Sequence, residues 1–347
     1  MNDPMDQVIA TLRDHPDGPQ RLLVTGWFSF EDGEVTAGDV LALRAAEAAL
    51  DRAGLAHDTA WSAGFRPGAL HLEGARPEDY DSLLFVCGPL HGAQIRALHR
   101  RYARCRRLAV DVSVVDPDAC EATGFELVVA RDGTGSPRAD LSARARVGPL
   151  PPVVGVVLTA GQGEYGAARR HETVSALLEK WVAGRDCARV PAETRLDSRD
   201  WRLCATPEQF LALAGSWSLI LTTRLHGLVL GLRAGVPVLA VDPVAGGAKV
   251  SAQARALRWP AALSADAVDE RSLDRWWDWC LSPAGRNAAR RRARQAGPGA
   301  EGPACRRRPS QPAGYGVAER RRARCAALAA RARVVPATAS GVSSRSW

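Results

Sequence analysis

The feature that most constrains this 347-residue chain is a repeated switch of hydrophobic pattern. Short, nearly unbroken apolar runs occupy 21–25, 83–87, 107–112, 126–130, 153–158, 218–222 and 236–241. Between them, 38–53, 92–104, 168–183, 206–214, 225–234 and 247–257 show helical spacing or strong helix formers. A strand that is apolar on both faces has to be covered on both faces, and alternating helices supply that cover. The expected class is α/β, with doubly wound parallel sheets. The Pro-rich stretch VGPLPPVVG (147–155) interrupts the alternation near the middle and reads as a linker. Two Rossmann-like domains are therefore expected, 1–150 and 151–285, with a cleft between them. Beyond Val268 the segment DERSLDRWWDWCLSP reads as a helix whose Trp276, Trp277 and Trp279 pack across one domain.

The net charge of +8 is unevenly placed. From Arg286 onward there are fifteen arginines and two glutamates, whereas the preceding 285 residues hold 31 basic and 36 acidic side chains. Residues 286–347, rich in Arg, Ala, Gly, Pro and Ser, are expected to be a disordered basic tail, because such a composition buries too little apolar surface to offset ordering. The tail can touch anionic lipid as a peripheral membrane contact, or be a dispensable extension. Its arginine clusters lack interleaved aromatics, so no specific nucleic-acid partner is expected. With no leader-like N-terminus and no uninterrupted apolar span, the chain is expected to be cytoplasmic. The eight cysteines show no metal-ligand or redox spacing, and no metal is expected.

In an open parallel sheet, ligands gather where strands end and helices begin. After SLILT comes Thr223-Arg224-Leu225-His226-Gly227 and an apolar helix. Thr222 or Thr223 can cap that helix, whose N-terminus favours an anion. Arg224 offers a bidentate fork for carboxylate or phosphate, and His226 can move a proton near neutral pH. A buried histidine beside a capping arginine fits the same spacing. The next strand leads into Asp242-Pro243-Val244-Ala245-Gly246-Gly247-Ala248-Lys249, where two glycines admit a ligand to the backbone and Lys249 supplies a charge; an ordinary turn reads equally. Arg131 follows the ELVVA strand, facing a ligand or pairing with Asp132. After the first strand, Thr36-Ala37-Gly38-Asp39 opens a helix, and Asp39 serves either as a base or as a partner of the helix N-terminus. His91 stands at another strand end, while Gln162, Glu164 and Tyr165 suit sugar hydroxyls; ordinary loop chemistry accounts for both segments equally.

The run TTRLHGLVLGLRAGVPVLAVDPVAGGAKV resembles the C-terminal signature of the polysaccharide pyruvyl transferase family. GWFSF…TAGD is similar to that family's N-terminal Gly-Asp loop, and ARDGTGS to its Arg-Asp segment. Three departures stand on the N-terminal side: Thr36 replaces the usual Asn, the first loop is longer, and CGPL replaces a glycine-rich turn. The resemblance implies a GT-B-like pair of Rossmann-like domains. It also implies phosphoenolpyruvate as donor substrate, a saccharide acceptor that can be lipid-linked, and no further cofactor. His226 is then the acid and Asp39 the base, with Arg224, Arg131, Lys249, Gly246, Gly247, Gly38 and Glu164 as substrate-binding residues. The alternatives are a GT-B glycosyltransferase using a nucleotide sugar and a non-catalytic sugar-binding protein.

Overall fold

The computed structural model describes residues 3–14, 21–159 and 163–295. The chain divides into two compact units, Met1–Leu150 and Pro151–Trp347.

The first unit opens with a helix, α1 (Pro4–Arg13), which the apolar pattern above does not anticipate. Asp3 caps it, and Met5, Val8 and Leu12 form its buried stripe. There follow β1 (Leu22–Thr25), α2 (Ala37–Arg52), β2 (His57–Thr59), β3 (Ser82–Pro89), α3 (Ala93–Arg101), β4 (Arg106–Ser113), α4 (Cys120–Thr123) and β5 (Leu127–Asp132). All five strands pair in parallel, in the order β2-β1-β3-β4-β5. The three central strands are buried on both faces over most of their length, as continuous apolar runs require. The order reverses between β1 and β3, and that switch point leaves an open crevice at the carboxyl edge of the sheet.

The second unit carries β6 (Val153–Val157), α5 (His171–Ala183), β7 (Ala188–Pro191), α6 (Pro207–Gly215) and β8 (Leu219–Thr222). It continues with α7 (Leu225–Arg233), β9 (Val238–Asp242), α8 (Lys249–Ala256), β10 (Ala262–Ser264), α9 (Glu270–Leu281) and α10 (Pro283–Gln295). The strand order β10-β9-β8-β6-β7 repeats the topology of the first sheet, again all parallel. Its switch point lies between β6 and β8. The tryptophan-rich helix packs where expected: Trp277 meets Trp181 edge-on at 5.5 Å and Trp279 meets Trp259 at 5.3 Å.

One sequence expectation is corrected here. Residues 286–295, assigned to the disordered tail, belong to α10, which rests on α9 and α7 through small side chains. Ala289 is fully buried, and a side chain at Gly285 would come within 2.3 Å of the Trp279 carbonyl. Alanine and arginine are good helix formers, so the segment needed only a surface to dock on. The rest of the expected tail, 296–347, lies outside the described residues. No helix among the described residues is long and apolar enough to cross a membrane.

Candidate functional site

At the switch point of the second unit, two threonines join the ends of β6 and β8. Thr222 Oγ1 donates to the Val157 carbonyl at 2.7 Å and accepts the Arg224 N–H at 2.9 Å, while Thr223 Oγ1 accepts the Thr159 N–H at 2.8 Å. The expectation that one of them caps α7 is therefore corrected. Arg224 itself is the N-cap, in extended backbone and with no side-chain cap. The N–H groups of the first turn, from Leu225 to Gly227, have no carbonyl within the helix to meet. Gly227 is demanded by proximity, because a methyl there would stand 2.2 Å from Thr222 Oγ1. Gly231 does the same a turn later, facing Ile220 and Val238 at 2.7 Å. The R-L-H-G motif thus presses a helix onto the strand that precedes it, leaving Arg224 half-buried and His226 exposed at the helix start.

Arg224 is held from three sides. Nη2 donates to Glu193 Oε2 at 2.9 Å, Nη1 to Thr194 Oγ1 at 3.3 Å, and Nε to the Leu158 carbonyl at 3.4 Å. Glu193 is in turn oriented by the N–H groups of Thr194 and Arg195 on its Oε1. The sequence reading missed Glu193; its one signal was the acid in PAET immediately after β7, a strand that was itself unread. Nη2 therefore faces a carboxylate of the protein, and an incoming anion would have to share or displace it.

Along the same carboxyl edge, β9 ends at Asp242, which is 1% exposed. Its carboxylate accepts the N–H groups of Val244, Ala248 and Ser251, and so occupies the N-terminus of α8. Gly246 and Gly247 have φ of 75° and 79°, a region that disfavours side chains, which explains the glycine pair. Lys249 begins α8 with its ammonium 5.8 Å from the Tyr165 ring. That ring is brought there by pairing of 168–170 with 243–245: the Arg170 N–H donates to the Pro243 carbonyl, and the Ala245 N–H to that of Ala168. Glu164 is exposed in the same segment, and Gln162 lies outside the described residues.

In the first unit, Asp39 and Gly38 stand at the β1–β3 switch point. A cavity of about 420 Å³ is lined there by Trp27, Asp32, Glu34, Thr36, Asp39, Gly88 and Pro89. Asp39 closes a capping box: its Oδ2 accepts Thr36 N–H and Thr36 Oγ1–H, while Oδ1 accepts the Cys87 thiol at 3.3 Å. Burial and the neighbouring Asp39 push the Cys87 thiol well above its ordinary range. The CGPL turn has a steric cause, since a side chain at Gly88 would strike the Trp27 ring at 2.1 Å. Cys87 and Asp111 face each other across β3 and β4, both in left-handed backbone (φ 59° and 60°). Burial raises the Asp111 carboxyl to about 6.

Arg131, at the end of β5, is spent locally. Nε donates to Asp132 at 2.8 Å, Nη1 to Asp140 at 2.7 Å, and Nη2 to Ser113 Oγ at 2.8 Å. His91 is exposed after β3. The structure therefore places Arg224, His226, Gly246, Gly247, Lys249 and Glu164 on the carboxyl side of the second sheet. Asp39, Gly38 and Arg131 stand at strand ends of the first.

Residues 189–243, which run from β7 through Glu193, Arg224 and His226 to the end of β9, match the family model of polysaccharide pyruvyl transferase. This supports the family suspected from the sequence. No curated protein matches the chain. Among solved structures, a glycotransferase of kitacinnamycin is similar at 13% identity, covering 81% of this chain and 96% of its own, with a TM-score of 0.28. Spinosyn forosaminyltransferase is similar at 13% identity, 79% and 94% coverage and a TM-score of 0.30. The UDP-GlcNAc 2-epimerase of Methanocaldococcus jannaschii is similar at 9% identity, 80% and 99% coverage and a TM-score of 0.27.

Proposed function

We propose that this chain transfers the pyruvyl group of phosphoenolpyruvate to two hydroxyls of a saccharide, forming a ketal and releasing phosphate. The observation that carries the reading is the start of α7: a half-buried guanidinium and an exposed imidazole flank a helix N-terminus that has no side-chain cap among the described residues, at a switch point inside the segment that matches the family. The donor has a carboxylate and a phosphate, and Arg224, Lys249 and the N–H groups of α7 are the groups that bind them. His226 delivers a proton to the methylene carbon, which leaves the adjacent carbon electron-poor. One acceptor hydroxyl adds to that carbon, the C–O bond to phosphate breaks, and the second hydroxyl completes the ketal. Of the two hydroxyl protons, one restores His226 and the other leaves with phosphate. Asp39 is assigned as the base for an acceptor hydroxyl, and the cavity around it as saccharide-binding. A lipid-linked acceptor, met at an anionic membrane by the arginine-rich C-terminal segment, belongs to the same reading.

Titration calorimetry with phosphoenolpyruvate tests the donor assignment. Wild type should give heat, and Arg224→Ala should lose about tenfold or more in affinity, the worth of a charge-assisted pair. His226→Ala should keep donor affinity but release no phosphate over a panel of mono- and disaccharides. Absence of heat from wild type sinks the donor assignment, and heat from a nucleotide sugar in its place moves the reading to glycosyl transfer.

A further inference from the structure

We propose that the groove between α8 and β10 is a second anion site in this unit, one that takes an organic phosphate. It is a cavity of about 490 Å³ whose walls include Arg255, Arg258, Ala254, Pro260, Leu263 and Ser264. Arg224 and Lys249 mark the carboxyl edge of the sheet, whereas α8 runs away from that edge and delivers Arg255 and Arg258 at its far end. One end of the groove reaches Ser251 and Ser264 beside the carboxyl edge, but its arginines lie at the other end of α8, and the proposal does not rest on the donor reading.

Three observations converge. First, positive charge accumulates without an acid to balance it. Arg255 and Arg258 are exposed, and neither is ion-paired among the described residues. A third guanidinium is tied to the same corner, where Arg292 Nη2 of α10 donates to the Arg258 carbonyl at 3.1 Å.

Second, the two arginines are not needed to finish the helix. The backbone closes α8 by itself, with the Arg258 N–H on the Arg255 carbonyl at 3.0 Å and the Trp259 N–H on the Ala254 carbonyl at 2.8 Å. Arg258 moreover sits at φ 49°, the left-handed position that a helix end ordinarily gives to glycine. A side chain kept there carries a backbone cost and needs another reason to be present.

Third, the floor of the groove is fixed and apolar. The Trp259 indole N–H donates to the Val238 carbonyl at 2.7 Å, which anchors the segment on β9, and Ala254, Pro260 and Leu263 form the wall. Two guanidinium forks over an apolar wall fit an organic phosphate, monoester or diester, whose carbon body lies on that wall. A bare inorganic ion would leave the wall unused.

The test is calorimetry on the full chain with phenyl phosphate, joined to flotation with phosphatidylglycerol-containing or pure phosphatidylcholine vesicles. Wild type should bind phenyl phosphate, and Arg224→Ala should still bind it. Arg255→Ala and Arg258→Gly should each bind about tenfold more weakly. Arg258→Gly should at the same time melt at a higher temperature, because glycine relieves the left-handed backbone; a weakened site in a more stable protein separates binding from folding. If phenyl phosphate fails but phosphatidylglycerol vesicles are held and then lost by the two arginine variants, the phosphate is a lipid headgroup. The proposal is overturned if the variants match wild type with both probes, if wild type binds neither, or if only Arg224→Ala loses phenyl phosphate.

Discussion

Two residues make the chemistry of these strand ends testable one side chain at a time. Glu193 holds Arg224 in place and competes for its charge. Glu193→Gln preserves a carbonyl acceptor for Nη2 while removing the negative charge, so phosphoenolpyruvate should bind about tenfold more tightly by calorimetry; weaker binding would show that the anion needs the Glu193–Arg224 ion pair intact. Asp111 is 3% exposed, and burial lifts its carboxyl from the ordinary 3.8 to about 6. A raised carboxyl keeps its proton in the fold after the unfolded chain has lost it. Its stabilising contribution is therefore full below about pH 4 and is lost as pH rises through about 6. Asparagine tolerates the left-handed backbone and can still accept the Leu141 N–H that Asp111 now takes at 3.0 Å. Asp111→Asn should flatten the pH dependence of chemical denaturation across that window and stabilise the protein at pH 7 by at most roughly 3 kcal/mol. An unchanged slope would contradict the raised value. Arg224 and His226 were legible as a pair because charge stands out in an apolar run. Glu193 and Asp242 were not, since an acid at or just beyond a strand end is common and only its hydrogen bonds reveal its role.

Central strands and edge strands differ in how openly they declare themselves. Those buried on both faces, such as β3, β4, β8 and β9, are continuous apolar runs and were read directly. The edge strands β2, β7 and β10 are three or four residues long and partly buried or, in β7, mostly exposed, so His57–Thr59, Ala188–Pro191 and Ala262–Ser264 carry no such run, whereas the fourth edge strand, β5, is six residues long and was read. Helix α10 stayed hidden because Gly285 and Ala289, rather than large apolar residues, make its contacts. Small residues decide packing at the site as well. Gly227→Ala should push the first turn of α7 off Thr222, lowering the melting temperature and, through the displaced Arg224 and His226, weakening donor binding; overpacking of this kind costs about 1–3 kcal/mol. Gly38→Ala is the contrasting case. Its added methyl meets only Thr36 Oγ1, at 3.6 Å, and alanine is the better helix former, so stability should rise by about 0.5–1 kcal/mol. Melting curves that failed to separate the two substitutions would refute the packing account of R-L-H-G.

Across the whole chain, one topology is used twice. Both sheets reverse order between their first and third strands, and at each reversal the loops open on the carboxyl side, where a parallel sheet exposes its ligand-binding crevice. The two units keep their cores apart. The apolar cluster of the second runs from Val154 to Ala289, whereas those of the first lie between Met5 and Leu141. Each unit therefore holds the buried surface that drives its own folding, at a size typical of independent domains. The groups assigned to the donor, namely Arg224, His226, Lys249 and the Glu193 that holds Arg224, all belong to the second unit, while Asp39 and its cavity belong to the first. A protein made of residues 151–347 should accordingly fold, melt cooperatively and bind phosphoenolpyruvate within about threefold of the full chain, a difference well under 1 kcal/mol. It should release no phosphate with any saccharide, because the acceptor groups are missing. Calorimetry on this fragment, with circular dichroism to establish that it is folded, decides the matter: a folded fragment that cannot hold the donor would mean that the first unit contributes to donor binding, and the division of labour drawn here would fail.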